Sequence, residues 1–102
     1  MIIEYVRYKL TTHSPEQYLA AYTEGCKSLR AAPECHGYEL TQCTEDPNSF
    51  VLRILWESAD AHMMGFRKSA DFPPFFKAIG PFVKEISEMR HYALTDLSWT
   101  RA

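Results

Sequence analysis

Strand-period and helix-period segments follow one another here in an order that few small folds accommodate. Ile2 to Leu10 alternate in a β-rich composition and predict a first strand. Ser14-Pro15-Glu16-Gln17 is a helix start, with proline at the first helical position and Gln17 placed to close a capping box. Tyr18, Tyr22, Cys26 and Leu29 then recur at helical spacing until Pro33. His36 to Thr44 and Phe50 to Glu57 predict two further strands, joined as a hairpin by Glu45-Asp46-Pro47-Asn48.

Ser58 is placed to cap a second helical stretch, on which His62, Met63 and Phe66 are expected to share one face. Pro73-Pro74 opens a short further helix, with Phe72, Phe75, Phe76 and Ile79 spaced as a buried stripe, and Gly80-Pro81 closes it. Val83 to Leu94 predicts the last strand. The order is β-α-β-β-α-β, a ferredoxin-like α+β fold in which a four-stranded antiparallel sheet carries its helices on one face. At 102 residues there is room for one domain, expected over residues 1–95, with a polar tail over 96–102.

Period-two reading gives each strand two faces. Val6, Tyr8, Tyr38, Leu40, Leu52, Ile54, Trp56, Met89 and His91 form the set expected beneath the helices. The opposite set mixes Val51, Leu55, Ile86, Tyr5 and Tyr92 with Arg7, Arg53, Arg90, Glu39, Glu57 and Glu88. Apolar groups among paired charges suit a subunit contact better than a fully solvated face. A homodimer is therefore expected, with Tyr5, Arg7, Glu39, Arg53, Glu88 and Arg90 in its interface.

The formal net charge of −2 offers no basic footprint for nucleic acid. No stretch is long or apolar enough to span a bilayer, and the first residues lack a signal-peptide layout, so a cytoplasmic location is expected. Cys26, Cys35 and Cys43 are odd in number and lack CxxC spacing, which predicts buried free thiols rather than disulfides or a zinc knuckle. Glycine-rich phosphate loops, GxSxG, HExxH and a recognisable 2-His-1-carboxylate spacing are absent, so neither a cofactor nor a metal is expected.

A cavity between sheet and helices would be lined by Tyr8, Trp56, His62, Phe66, Phe76 and His91, with Tyr22 joining from the first helix. His62 stands where a hydrophobe is expected. It is either a general base working near neutral pH or a core histidine satisfied by a backbone carbonyl. Arg67, next to Phe66, is placed to reach the pocket mouth.

Four stretches carry a family resemblance. They are EYVRYKL at Glu4 to Leu10, CHGYEL at Cys35 to Leu40, FVLRILWESADAH at Phe50 to His62, and GFRKSADFPPFFKAIGPFVKEISEMRHY at Gly65 to Tyr92. Together they resemble the antibiotic-biosynthesis monooxygenase family of the dimeric α+β barrel superfamily. The resemblance implies a barrel closed by two sheets across a dimer, and a cofactor-independent monooxygenase acting on a small aromatic, quinol-like or polyketide-like molecule. In that scheme His62 is the base, Arg67 steadies the anion, and Tyr8, Trp56 and Phe66 are walls. The alternative is a non-catalytic small-ligand or structural dimer. The haem-degrading branch is disfavoured: its strand Asn, helix Trp and His ligand correspond here to Val6, Phe66 and Phe76, and phenylalanine cannot ligate iron.

Overall fold

The computed structural model describes residues 1–102. Its strands are β1 (Ile2–Lys9), β2 (Cys35–Gln42), β3 (Ser49–Trp56) and β4 (Ile86–Ala93). Helix α1 (Pro15–Ala31) links β1 to β2, and α2 (Phe72–Ile79) lies between β3 and β4. All neighbouring strands pair antiparallel, in the order β2-β3-β1-β4, which is the ferredoxin-like arrangement expected from the order of elements.

Helix α1 begins as its sequence dictates. The Ser14 hydroxyl accepts from the Gln17 N–H at 3.2 Å, and the Gln17 side chain accepts from the Ser14 N–H at 2.8 Å. These reciprocal bonds satisfy two donors that a helix start leaves free. Tyr18, Tyr22, Cys26 and Leu29 are buried against Val6, Tyr8, Phe50, Leu52, Ile54 and Trp56 in one core, which α2 joins through Phe75 and Ile79. Gly25 allows the close approach of the helices: a Cβ there would stand 2.9 Å from Ile79 Cγ2.

The chain between β1 and α1 is anchored by Glu85, a buried residue from the far end of the sequence. Its Oε1 accepts from the backbone N–H groups of Thr11, Thr12 and His13 at 2.8, 2.8 and 3.2 Å. Its Oε2 accepts from His13 Nδ1 at 2.6 Å. Burial works against the charge, but the bonds from Thr12, the His13 side chain, Thr11 and the His13 backbone prevail and hold the carboxyl down to about 2.

Several expectations are corrected. The stretch after β3 is no regular helix but a π turn (Ala61–Gly65) running into a 3₁₀ turn (Phe66–Lys68), although Ser58 does cap it by accepting from the Ala61 N–H. The wider π turn carries His62 and Phe66 inward and leaves Met63 41% exposed, so Met63 does not share their face. Phe76 is 48% exposed at the end of the aromatic stripe. Val83 belongs to a 3₁₀ turn (Gly80–Glu85) and not to β4. Ile86 faces the core because the β1–β4 register shifts between Arg7 and Tyr8, an irregularity that reverses the alternation of side chains. Of the free cysteines only Cys26 is buried, whereas Cys35 is intermediate and Cys43 exposed.

Candidate active site

A cavity of about 140 Å³ lies between the inner face of the sheet and α2, and its walls are almost wholly apolar. Val6, Leu52, Ile54 and Trp56 form its floor, with Phe66, Phe72 and Phe75 above. Its polar groups come from two ends of β1. Glu4 and Tyr8 lie on the same face of that strand, four residues and roughly 13 Å apart along it.

At one end the Tyr8 and Tyr22 hydroxyls are hydrogen-bonded to each other. Burial pushes Tyr8 up to about 12 and Tyr22 well above its usual value, so both stay neutral and one hydroxyl hydrogen remains to be donated.

At the other end stands a buried carboxylate–imidazole pair. His62 is held by the π turn and Glu4 by the central strand, and they are 4% and 3% exposed. His62 Nε2 is 3.6 Å from Glu4 Oε1. The Trp56 indole donates to Glu4 Oε1 at 3.0 Å and lies stacked on the His62 ring. Behind the pair, His62 Nδ1 and His91 Nε2 are hydrogen-bonded at 2.8 Å.

The low-dielectric surroundings favour the uncharged form of both groups. Burial raises the Glu4 carboxyl, against the Trp56 hydrogen bond and the charges of His91 and Arg67. Burial, then repulsion from His91 and Arg67, brings His62 down to about 4. A neutral imidazole keeps one nitrogen lone pair and is chemically able to accept a proton.

Of the residues expected to form the site, Tyr8, Tyr22, Trp56, His62, Phe66, Arg67 and Phe76 line the cavity. Arg67 is exposed, at the mouth. His91 is not in the lining: β4 is an edge strand, and this residue is exposed on it, behind His62. The backbone carbonyl considered as a partner for His62 is replaced by His91 and Glu4. Glu4 was not among the expected site residues, yet its parity with Val6 and Tyr8 already placed a carboxylate on an apolar face, where burying a charge is costly. Glu4, His62 and His91 are the side chains whose donor atoms come close enough to hold a metal ion.

A four-stranded antiparallel sheet with an apolar cavity and a buried imidazole under its helices defines a small ferredoxin-like α+β protein. The profile of the antibiotic biosynthesis monooxygenase family matches residues 1–78, and the chain belongs to that family. Solved structures share the fold. A Bordetella bronchiseptica protein grouped with these monooxygenases is 27% identical, over 92% of this chain and 96% of its own, with a TM-score of 0.75. A Chloroflexus aurantiacus protein of the same description is 15% identical over 96% of each chain, with a TM-score of 0.74. SnoaB, a cofactor-independent oxygenase from Streptomyces nogalater, is 17% identical over 94% of this chain and 95% of its own, with a TM-score of 0.72. No curated protein matches the chain.

Proposed function

We propose that the protein is a cofactor-independent monooxygenase of a small phenol or quinol. The observation that carries this reading is the His62–Glu4 pair at the end of an apolar cavity. Family membership and the likeness to a cofactor-independent oxygenase support it. A cavity of about 140 Å³ is of the size that takes a single aromatic ring, and larger substrates require the half-exposed Phe76 to move.

His62 accepts the phenolic proton, the phenolate formed beside it offsetting the burial that keeps the free imidazole neutral, with Trp56 stacked on its ring. The phenolate is electron-rich enough to pass an electron to dioxygen, giving a substrate radical and superoxide. These recombine at a ring carbon bearing hydrogen. His62 returns its proton to the peroxide, and loss of water then leaves a carbonyl, so one oxygen atom is retained, the other leaves as water, and the phenol becomes a quinone. Arg67 at the mouth and the Tyr8–Tyr22 hydroxyl pair stabilise developing negative charge on oxygen. The apolar walls keep water from the reactive anion.

The reading extends to a homodimer in the cytoplasm, with Tyr5, Arg7, Glu39, Arg53, Glu88 and Arg90 in its interface. On the sheet face away from the helices, Arg7 and Arg90 each lie 3.6 Å from Glu88, and Tyr5 meets Tyr92 edge-on. Sedimentation at micromolar concentration tests the dimer: a monomer there removes the interface.

Oxygen uptake with a panel of hydroquinones, naphthols and polyphenols, using chelator-treated protein, tests the chemistry. Uptake in the wild type that falls at least a hundredfold in His62→Ala is the expected result. A folded protein that consumes no oxygen with any of them moves the reading to a non-catalytic small-ligand module.

A further inference from the structure

His62, His91 and Glu4 come from three separate elements: the turn after β3, the edge strand and the central strand. The β1–β4 register sets Glu4 directly opposite His91. One donor atom from each of the three side chains lies within 4.8 Å of the others. We infer that they form a binding site for a first-row divalent transition metal of the zinc, cobalt or nickel kind.

The donor set selects the ion. Two imidazoles and a carboxylate suit these metals, whereas magnesium and calcium prefer oxygen throughout. The nitrogens His62 Nδ1 and His91 Nε2 are 2.8 Å apart. With metal–nitrogen bonds of about 2.0–2.1 Å, that separation subtends roughly a right angle at an ion, so each ring turns out of the hydrogen bond toward the ion to ligate it. Glu4, held at Oε1 by the Trp56 N–H, has its second oxygen left to supply the third donor. The ring that donates the shared hydrogen ligates as its other tautomer: that proton leaves to water from the inner nitrogen and the outer nitrogen takes one from water, so both rings bind the ion neutral.

Two further features favour the site. The Trp56 indole holds Glu4 by a hydrogen bond and His62 by stacking, which orients two of the three ligands before an ion arrives. His91 is exposed, so an ion entering from solvent meets this residue first. The carboxylate supplies the negative charge that a cation needs in an apolar setting.

Metal binding is measured on the resting protein and stands apart from the proposed oxidation. Chelator-treated full-length protein is titrated with Co²⁺, by calorimetry and visible absorption, then challenged with Zn²⁺ and with millimolar Mg²⁺. The site predicts one Co²⁺ per chain with a visible d–d band, displaced by Zn²⁺ and untouched by Mg²⁺. His91→Ala, an exposed change that leaves the core alone, is expected to weaken binding at least a hundredfold. Glu4→Gln is expected to weaken it about 10–100-fold, with circular dichroism confirming that both variants fold. Equal affinity in wild type and His91→Ala, or no cobalt binding at all, overturns the assignment.

Discussion

The His62 imidazole lies flat on the Trp56 indole, with ring centroids 4.6 Å apart and planes inclined by 14°. The same indole donates its N–H to Glu4 Oε1 at 3.0 Å. One buried side chain therefore positions both members of the polar pair that faces the cavity. Trp56→Phe keeps an aromatic surface under His62 but leaves the buried Glu4 oxygen without that donor. Loss of about 1–3 kcal/mol of stability is expected in denaturant unfolding, the penalty of an unpaired buried acceptor. A fall in kcat larger than any change in KM should accompany it, because the ring contact survives while the carboxyl is freed to turn.

Glu85 makes stability depend on acid. Its carboxyl is held down to about 2 in the folded protein against an ordinary value of 4.5. A depressed carboxyl contributes its full stabilisation above the unfolded value, here above about pH 4.5, and loses it as pH falls through the folded value. That contribution is about 3 kcal/mol from the difference between the two values. Urea unfolding at pH 6, 4 and 3 should show the wild type losing stability over this window. Glu85→Gln should start lower and lack that component of the slope.

Gly25 sets two opposing effects against each other. Alanine raises helix propensity by about 1 kcal/mol within α1. Its methyl would, however, lie 2.9 Å from Ile79 Cγ2 and 3.4 Å from the Phe75 ring. Overpacking between two helices costs about 1–3 kcal/mol, so Gly25→Ala is expected to lower the thermal midpoint despite the better propensity. A raised midpoint would show that α2 yields easily.

Tyr18 is fully buried among Tyr8, Tyr22, Phe50 and Phe82, and its hydroxyl has no hydrogen-bond partner. Removing an unpartnered buried hydroxyl relieves its desolvation. Tyr18→Phe is expected to gain about 1 kcal/mol in equilibrium unfolding. A loss of similar size would reveal a polar contact to that oxygen.

Much of this architecture was legible from local pattern. The Ser14–Gln17 capping box, the alternation of Val6 and Tyr8, and the hairpin turn after Thr44 act within a few residues, and each is found as expected. Two kinds of feature escaped. Ile86 and Met63 depend on a register shift and a π turn, in which one residue more or less changes a face, and neither periodicity nor composition encodes that residue count. Glu4 has a local signal, its parity with Val6 and Tyr8, but that parity does not name the partners a buried carboxyl needs. Only its pairing with Trp56, 52 residues away, and with His62 beyond it makes burial tolerable. Phe66 and Phe76 looked alike in sequence, yet the first is sealed between Trp56 and Phe75 and the second stands at the mouth.

The central claim is that His62 removes a proton from a bound phenol. Without oxygen the reaction stops at that step, and phenolate absorbs at longer wavelength than phenol. The most direct measurement is therefore the absorption spectrum of a hydroquinone or naphthol bound anaerobically to chelator-treated protein near neutral pH. The account predicts a phenolate band in the wild type that disappears in His62→Ala while the ligand remains bound. A bound phenol that stays neutral in the wild type, or a phenolate band unchanged in the variant, would contradict it.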